Sequence, residues 1–109
     1  MMQNLMFIAL SGLLAIADTS ATAWASDTAV TIDNFTFSPA SLTVAARSRV
    51  VWTNRDDIPH TVTSADEPRA MKSEPLDTGD TFTHVFAKRG TLHYFCSLHP
   101  HMQGTIMVQ

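Results

Sequence analysis

The chain has 109 residues, with seven Lys and Arg against ten Asp and Glu and a formal charge of −3 at pH 7. That balance excludes the basic surface a nucleic-acid-binding domain needs, and the length allows one small domain. Domains of this size bury a modest core and commonly add disulfides or a metal. The single cysteine, Cys96, cannot form an internal disulfide, so a metal is the remaining staple.

The first segment is uncharged from Leu5 to Ala17, "LMFIALSGLLAIA". It is too short to cross a bilayer, which takes ~20 apolar residues. It has the length of a signal-peptide core, and "AWA" at Ala23–Ala25 supplies the small-x-small cleavage pattern. One departure is that Met1–Asn4 lacks the usual Lys or Arg. Residues 1–25 are therefore expected to be a cleaved signal peptide and residues 26–109 a mature domain without a membrane span.

Beyond residue 25 the pattern is all β. In "AVTIDNFTFSP" the apolar positions run Val30, Ile32 and then change parity to Phe35, Phe37, which predicts a bulge or bend near Asp33–Asn34. "SLTV", "RVVWTN", "HTVTS", "TFTHVF", "TLHYFC" and "GTIMVQ" come next as short runs rich in β-branched and aromatic residues. Pro39, Pro59, Pro68, Pro75, Gly79 and Gly90 fall between them. Such spacing predicts a two-sheet β-sandwich. Ser64–Asp77 is the longest irregular stretch and is expected to be a surface loop.

In "TLHYFC" the two-residue period places Leu92, Tyr94 and Cys96 on the core face, with His93 and Phe95 opposite. A lone inward cysteine is commonly an inert buried thiol. The residues after Cys96 argue otherwise: Cys96-x-x-His99-x-x-Met102 offers a thiolate, an imidazole and a thioether within one turn. Structural zinc takes four strong ligands, usually with two or more cysteines. One thiolate, two imidazoles and a long axial Met is the set of copper electron-transfer sites. The second imidazole must come from elsewhere, and the best candidate is His60 in "NRDDIPHTV", where Pro59 fixes the chain just before it.

These two segments, "VVWTNRDDIPHTV" and "GTLHYFCSLHPHMQGTIMV", resemble the cupredoxins of the plastocyanin and amicyanin type. The first carries Trp52, Asn54, Pro59 and His60 of the family pattern, and the second Gly90, Tyr94, Cys96 and His99. The short spacing from His99 to Met102 is amicyanin-like. The resemblance implies an eight-stranded Greek-key sandwich with one type 1 copper held at one end by His60, Cys96, His99 and Met102. Asn54, Thr61 and Ser97 would support those ligands.

Some positions depart from the family. Thr61 stands where an Asn usually ties the two ligand segments, and its hydroxyl is expected to make only one such bond. Arg47 replaces a turn glycine, so that turn is expected to differ. His101 stands where amicyanins have an aromatic. His84, between Phe82 and Phe86, is expected to be a partly buried core histidine, and His93 faces out without an evident role.

The implied function is that of a periplasmic, monomeric one-electron carrier cycling between Cu(I) and Cu(II), not an enzyme. Its donor and acceptor would be redox proteins, with a dehydrogenase, a c-type cytochrome or both as candidates. They would dock on a patch of Ile58, Pro59, Leu98, Pro100 and His101 around the exposed edge of His99. Asp56, Asp57, Asp66 and Glu67 would steer a basic partner or form a solvated rim. The alternative from another class is a periplasmic copper-handling protein with no electron-transfer role.

Overall fold

Alternation along "SRVVWTN" puts Ser48, Val50, Trp52 and Asn54 inside and the intervening residues partly outside, and this strand becomes the spine of one sheet. The computed structural model describes residues 26–109, and every regular element among them is a strand. In chain order these are β1 (Asp27–Asp33), β2 (Thr36–Ser38), β3 (Ser41–Val44), β4 (Ser48–Asn54), β5 (Thr63–Ser64), β6 (Thr81–Phe86), β7 (Gly90–Cys96) and β8 (His99–Val108). The expected signal peptide, residues 1–25, lies outside the described residues.

One sheet has the order β2-β1-β4-β6 and the other β3-β8-β7-β5. Both are mixed, because β1 runs parallel to β4 and β3 parallel to β8, the other pairs being antiparallel. The two-sheet sandwich read from the strand spacing is the observed fold. Between the sheets Trp52, Tyr94, Phe37, Ile32 and Ile106 are almost completely buried. Tyr94 meets Phe37 at 4.7 Å and Trp52 at 5.5 Å between ring centroids, both edge-on. Truncating a residue such as Trp52 to alanine would cost about 3–5 kcal/mol. The Tyr94 ring lies directly over Gly104, where any Cβ would collide with it.

Four local expectations change. The parity break after Ile32, expected as a bulge or bend, is a full chain reversal: Asp33 pairs with Thr36 across a two-residue turn whose residues, Asn34 and Phe35, have φ of 52° and 56°. Phe35 therefore leaves the core and is 45% exposed. Second, the segment after Cys96 is strand on both sides of Ser97–Leu98, since Cys96 pairs with His99 and β8 already begins there. Third, only the first part of the Ser64–Asp77 stretch is surface loop. Its second part turns back under the fold, burying Met71, Ser73 and Leu76 through backbone bridges of Thr63 with Lys72 and His60 with Leu76. Finally, Arg47 takes φ 71°, the left-handed backbone a glycine would supply, so the turn keeps that conformation with a side chain in it.

Candidate metal centre

Cys96 ends β7 on its inward face, where the alternation that buries Tyr94 also buries it completely. The tight turn after it returns the chain so that His99 lies opposite Cys96, half-buried, with its Nδ1 3.6 Å from the sulfur. Met102 occupies the inward register of β8, with Gly104, Ile106 and Val108, and is buried.

His60 arrives from the other part of the chain. Its backbone is fixed on both sides by Leu76, which accepts the His60 N–H at 3.2 Å and donates to the His60 carbonyl at 2.7 Å. The ring is fully buried and its Nδ1 lies 3.8 Å from the Cys96 sulfur. The donor atoms of His60, Cys96 and His99 all lie within 4.8 Å of one another, the one such cluster of His, Cys or acidic groups among the described residues. A metal bonded to sulfur and to an imidazole nitrogen at about 2.0–2.3 Å would hold those two atoms roughly 3.5–3.8 Å apart. Both sulfur–nitrogen distances, 3.8 Å to His60 and 3.6 Å to His99, match that separation.

Asn54, Thr61 and Ser97, named from the sequence as supports, all make hydrogen bonds around these side chains. Asn54 gives its amide hydrogens to the carbonyls of Ile58, 2.9 Å, and Leu76, 2.8 Å, and accepts the Asp56 N–H at 2.9 Å, which shapes the approach to His60. The Thr61 N–H donates to the Cys96 sulfur at 3.3 Å. Its hydroxyl accepts the Ser97 N–H at 2.8 Å and also meets the hydroxyls of Ser97, 2.9 Å, and Thr63, 3.1 Å. The single bond expected of this threonine is thus too few: one oxygen can accept twice and donate once, and here three partners surround it.

Two residues of the site were missed as such. Phe35 lays its ring edge-on against both imidazoles, at 5.4 Å from His60 and 5.1 Å from His99 between centroids. Asp56, counted from the sequence among acids free to steer a partner, has an inward side chain only 11% exposed, its Oδ2 2.7 Å from His60 Nε2. Its carboxylate also accepts the N–H groups of Asn34 and Phe35. Burial opposes its charge, but those amides and the His60 ring outweigh burial and hold the carboxyl down at about 2. The four-residue spacing from Asp56 to His60 and the parity break at Phe35 were the available signals.

Of the other positions, Leu98 is 49% exposed, Pro59, Pro100 and His101 are exposed, and Ile58 is partly covered. Glu67 pairs with Arg69 at 3.3 Å. His84 is half-buried between Phe82 and Phe86, stacked on the first and edge-on to the second, as expected of a core histidine. His93 is exposed and its Nδ1 lies 3.2 Å from the Thr105 hydroxyl.

Comparisons with known proteins agree with this geometry. Residues 5–108 match the family model of the cupredoxin-like domain. Amicyanin-alpha of Methylorubrum extorquens is 31% identical over 88 residues, covering 78% of this chain and 74% of that protein. Amicyanin of Paracoccus denitrificans is 28% identical over 94 residues, covering 82% and 72%. Among solved structures, a purple cupredoxin from Nitrosopumilus maritimus superposes with a TM-score of 0.70 at 34% identity, covering 75% of this chain and 99% of that one. The oxidised M98L variant of amicyanin gives 0.72 at 26% identity, covering 75% and 81%. A thiolate, two imidazoles and a buried thioether at one end of such a sandwich are the donors of a single type 1 copper ion. The chain belongs to the cupredoxin-like family and is a cupredoxin of the amicyanin type.

Proposed function

We propose that this chain is a periplasmic, monomeric one-electron carrier whose copper is held by His60, Cys96, His99 and Met102. The observation that carries the proposal is the convergence of His60 Nδ1 and His99 Nδ1 on the Cys96 sulfur, although His60 and Cys96 lie 36 residues apart. Copper, when bound, supplies the one-electron couple. The residues of the chain supply everything else.

Electron transfer is fast when the donors move little between redox states. Here His99 and Cys96 are paired across one hairpin, His60 is clamped to Leu76, and Thr61 bonds to both Cys96 and Ser97. The Thr61 N–H on the sulfur withdraws charge from the thiolate and tunes the potential. All four donors come from the protein, whereas a catalytic metal keeps an open position, so the reading is a carrier rather than an enzyme.

His99 is the more exposed of the two imidazoles and is the exit for the electron. Around it, Leu98, Pro100 and His101, with Ile58 and Pro59 from the other segment, form the proposed docking patch, to which Phe35 is added. An apolar patch of this kind suits brief encounters with redox-protein donors and acceptors.

The test is the visible and electron paramagnetic resonance spectrum of the protein loaded with Cu(II). An intense thiolate-to-copper band with small copper hyperfine splitting, and reversible one-electron reduction, are expected. A weakly coloured protein with ordinary hyperfine splitting would overturn the carrier reading in favour of copper handling.

A further inference from the structure

Asn34 and Phe35 both adopt left-handed backbone conformations, with φ of 52° and 56°. For a bulky aromatic residue this is an outlier, and it persists only where the surroundings over-determine it. The surroundings here are one carboxylate. Asp56 Oδ1 accepts the Asn34 N–H at 2.6 Å, and Oδ2 accepts the Phe35 N–H at 2.9 Å. Oδ2 also lies 2.7 Å from His60 Nε2. Asp56 is itself anchored, its N–H on the Asn54 side chain at 2.9 Å and its carbonyl accepting the Thr78 hydroxyl at 2.5 Å.

We infer that Asp56 is a positioning residue that holds His60 and the Phe35 turn as one unit, so that a single side chain sets both the imidazole facing the metal and the ring covering both imidazoles. An ionised carboxylate only accepts hydrogen bonds. The ring nitrogen facing it therefore carries the proton, and Nδ1 turns its lone pair toward the Cys96 sulfur. The same carboxylate gathers the two amides of the turn, which lays Phe35 edge-on across His60 and His99 while the residue as a whole remains 45% exposed. This deepens the proposed function, from which it takes the role of His60 as a ligand.

The chemistry of an amide makes the test sharp. Asp56→Asn preserves size but leaves one accepting oxygen for three donors, and its NH2 group must face an N–H. The readout is taken on the metal-free protein, so a failure to bind copper would overturn the proposed function and leave this test standing. Ring nitrogen shifts by NMR are expected to show His60 in the parent as a single tautomer protonated at Nε2, and in Asp56→Asn as a mixture. Exchange of the Nε2 proton with water should rise at least tenfold. The ring-current shifts that Phe35 induces on the His60 and His99 ring protons should fall toward those of Phe35→Ala, while Phe35→Ala itself keeps the single tautomer. Asp56→Glu, which retains both oxygens, should recover the tautomer at least in part. If Asp56→Asn does not fold, the tautomer is read in Asn34→Gly/Phe35→Gly/Asp56→Asn, where glycine relieves the turn, and a mixture is again expected. A single unchanged tautomer with unchanged ring-current shifts in Asp56→Asn, or a single tautomer in the glycine background, would overturn the inference. So would tautomer mixing in Phe35→Ala alone.

Discussion

Thr61 bonds both sides of the Cys96–Ser97 peptide: its N–H reaches the Cys96 sulfur at 3.3 Å and its hydroxyl accepts the Ser97 N–H at 2.8 Å. Because Thr61 comes directly after His60, this short bridge locks the two ligand segments together. Thr61→Val keeps the shape and the backbone bond but removes the hydroxyl. It should destabilise the metal-free domain by about 1–2 kcal/mol in chemical denaturation. A loss below about 0.5 kcal/mol, within the range of an ordinary surface change, would show the hydroxyl link to be dispensable.

Cys96→Ser places a hard, neutral oxygen where the fully buried sulfur stands. The intense visible band should vanish, while far-UV circular dichroism retains the β-sandwich signature. Survival of the band would assign it to another group.

Met102→Gln exchanges a soft thioether for a harder oxygen of similar reach in the buried register of β8. Copper should stay bound and the reduction potential should fall, because the oxygen donor favours Cu(II). A potential equal to or above the parent's would mean that Met102 is not coordinated.

Arg47 sits at φ 71° with its N–H bonded to the Phe86 carbonyl at 2.6 Å. The left-handed conformation costs a side-chain-bearing residue roughly 1–2 kcal/mol, of which glycine's greater freedom in the unfolded chain takes back a part. Arg47→Gly should therefore stabilise the domain by about 0.5–1 kcal/mol, seen as a higher denaturation midpoint at unchanged slope. Destabilisation would show that the arginine side chain contributes more than the turn conformation costs.

Burial pushes the His84 imidazole below its ordinary value. The unfolded chain then takes up the proton more readily than the folded one, so stability rises with pH across that range. The contribution is complete above the ordinary histidine value of about 6.5 and declines as pH falls through it. His84→Leu should lose less stability than the parent between pH 8 and pH 5 in parallel denaturation series. Equal losses in the two proteins would place the effect on other groups.

The sequence alone determined the all-β sandwich, the inward faces of β4 and β7 and three donors of the metal centre. The reason is locality: the two-residue period fixes which side chains face inward, and Cys96, His99 and Met102 lie within one hairpin. His60 could also be read, because the proline before it and the need for a second imidazole both pointed there. The tertiary structure decided what depends on distant partners. A change of parity at Phe35 is compatible with a bulge or a reversal. The reversal needs two left-handed residues, and those are held by Asp56, 22 and 21 residues away in the chain. Asp56 reads as a surface charge until the fold turns it toward that turn and His60. The half of the long connection carrying Met71, Ser73 and Leu76 likewise has no periodicity of its own, since its partners are the backbone of Val62 and Ser64 and, at Leu76, of His60. Pattern carries information between neighbours along a strand, and a hydrogen bond across the fold leaves no such period behind.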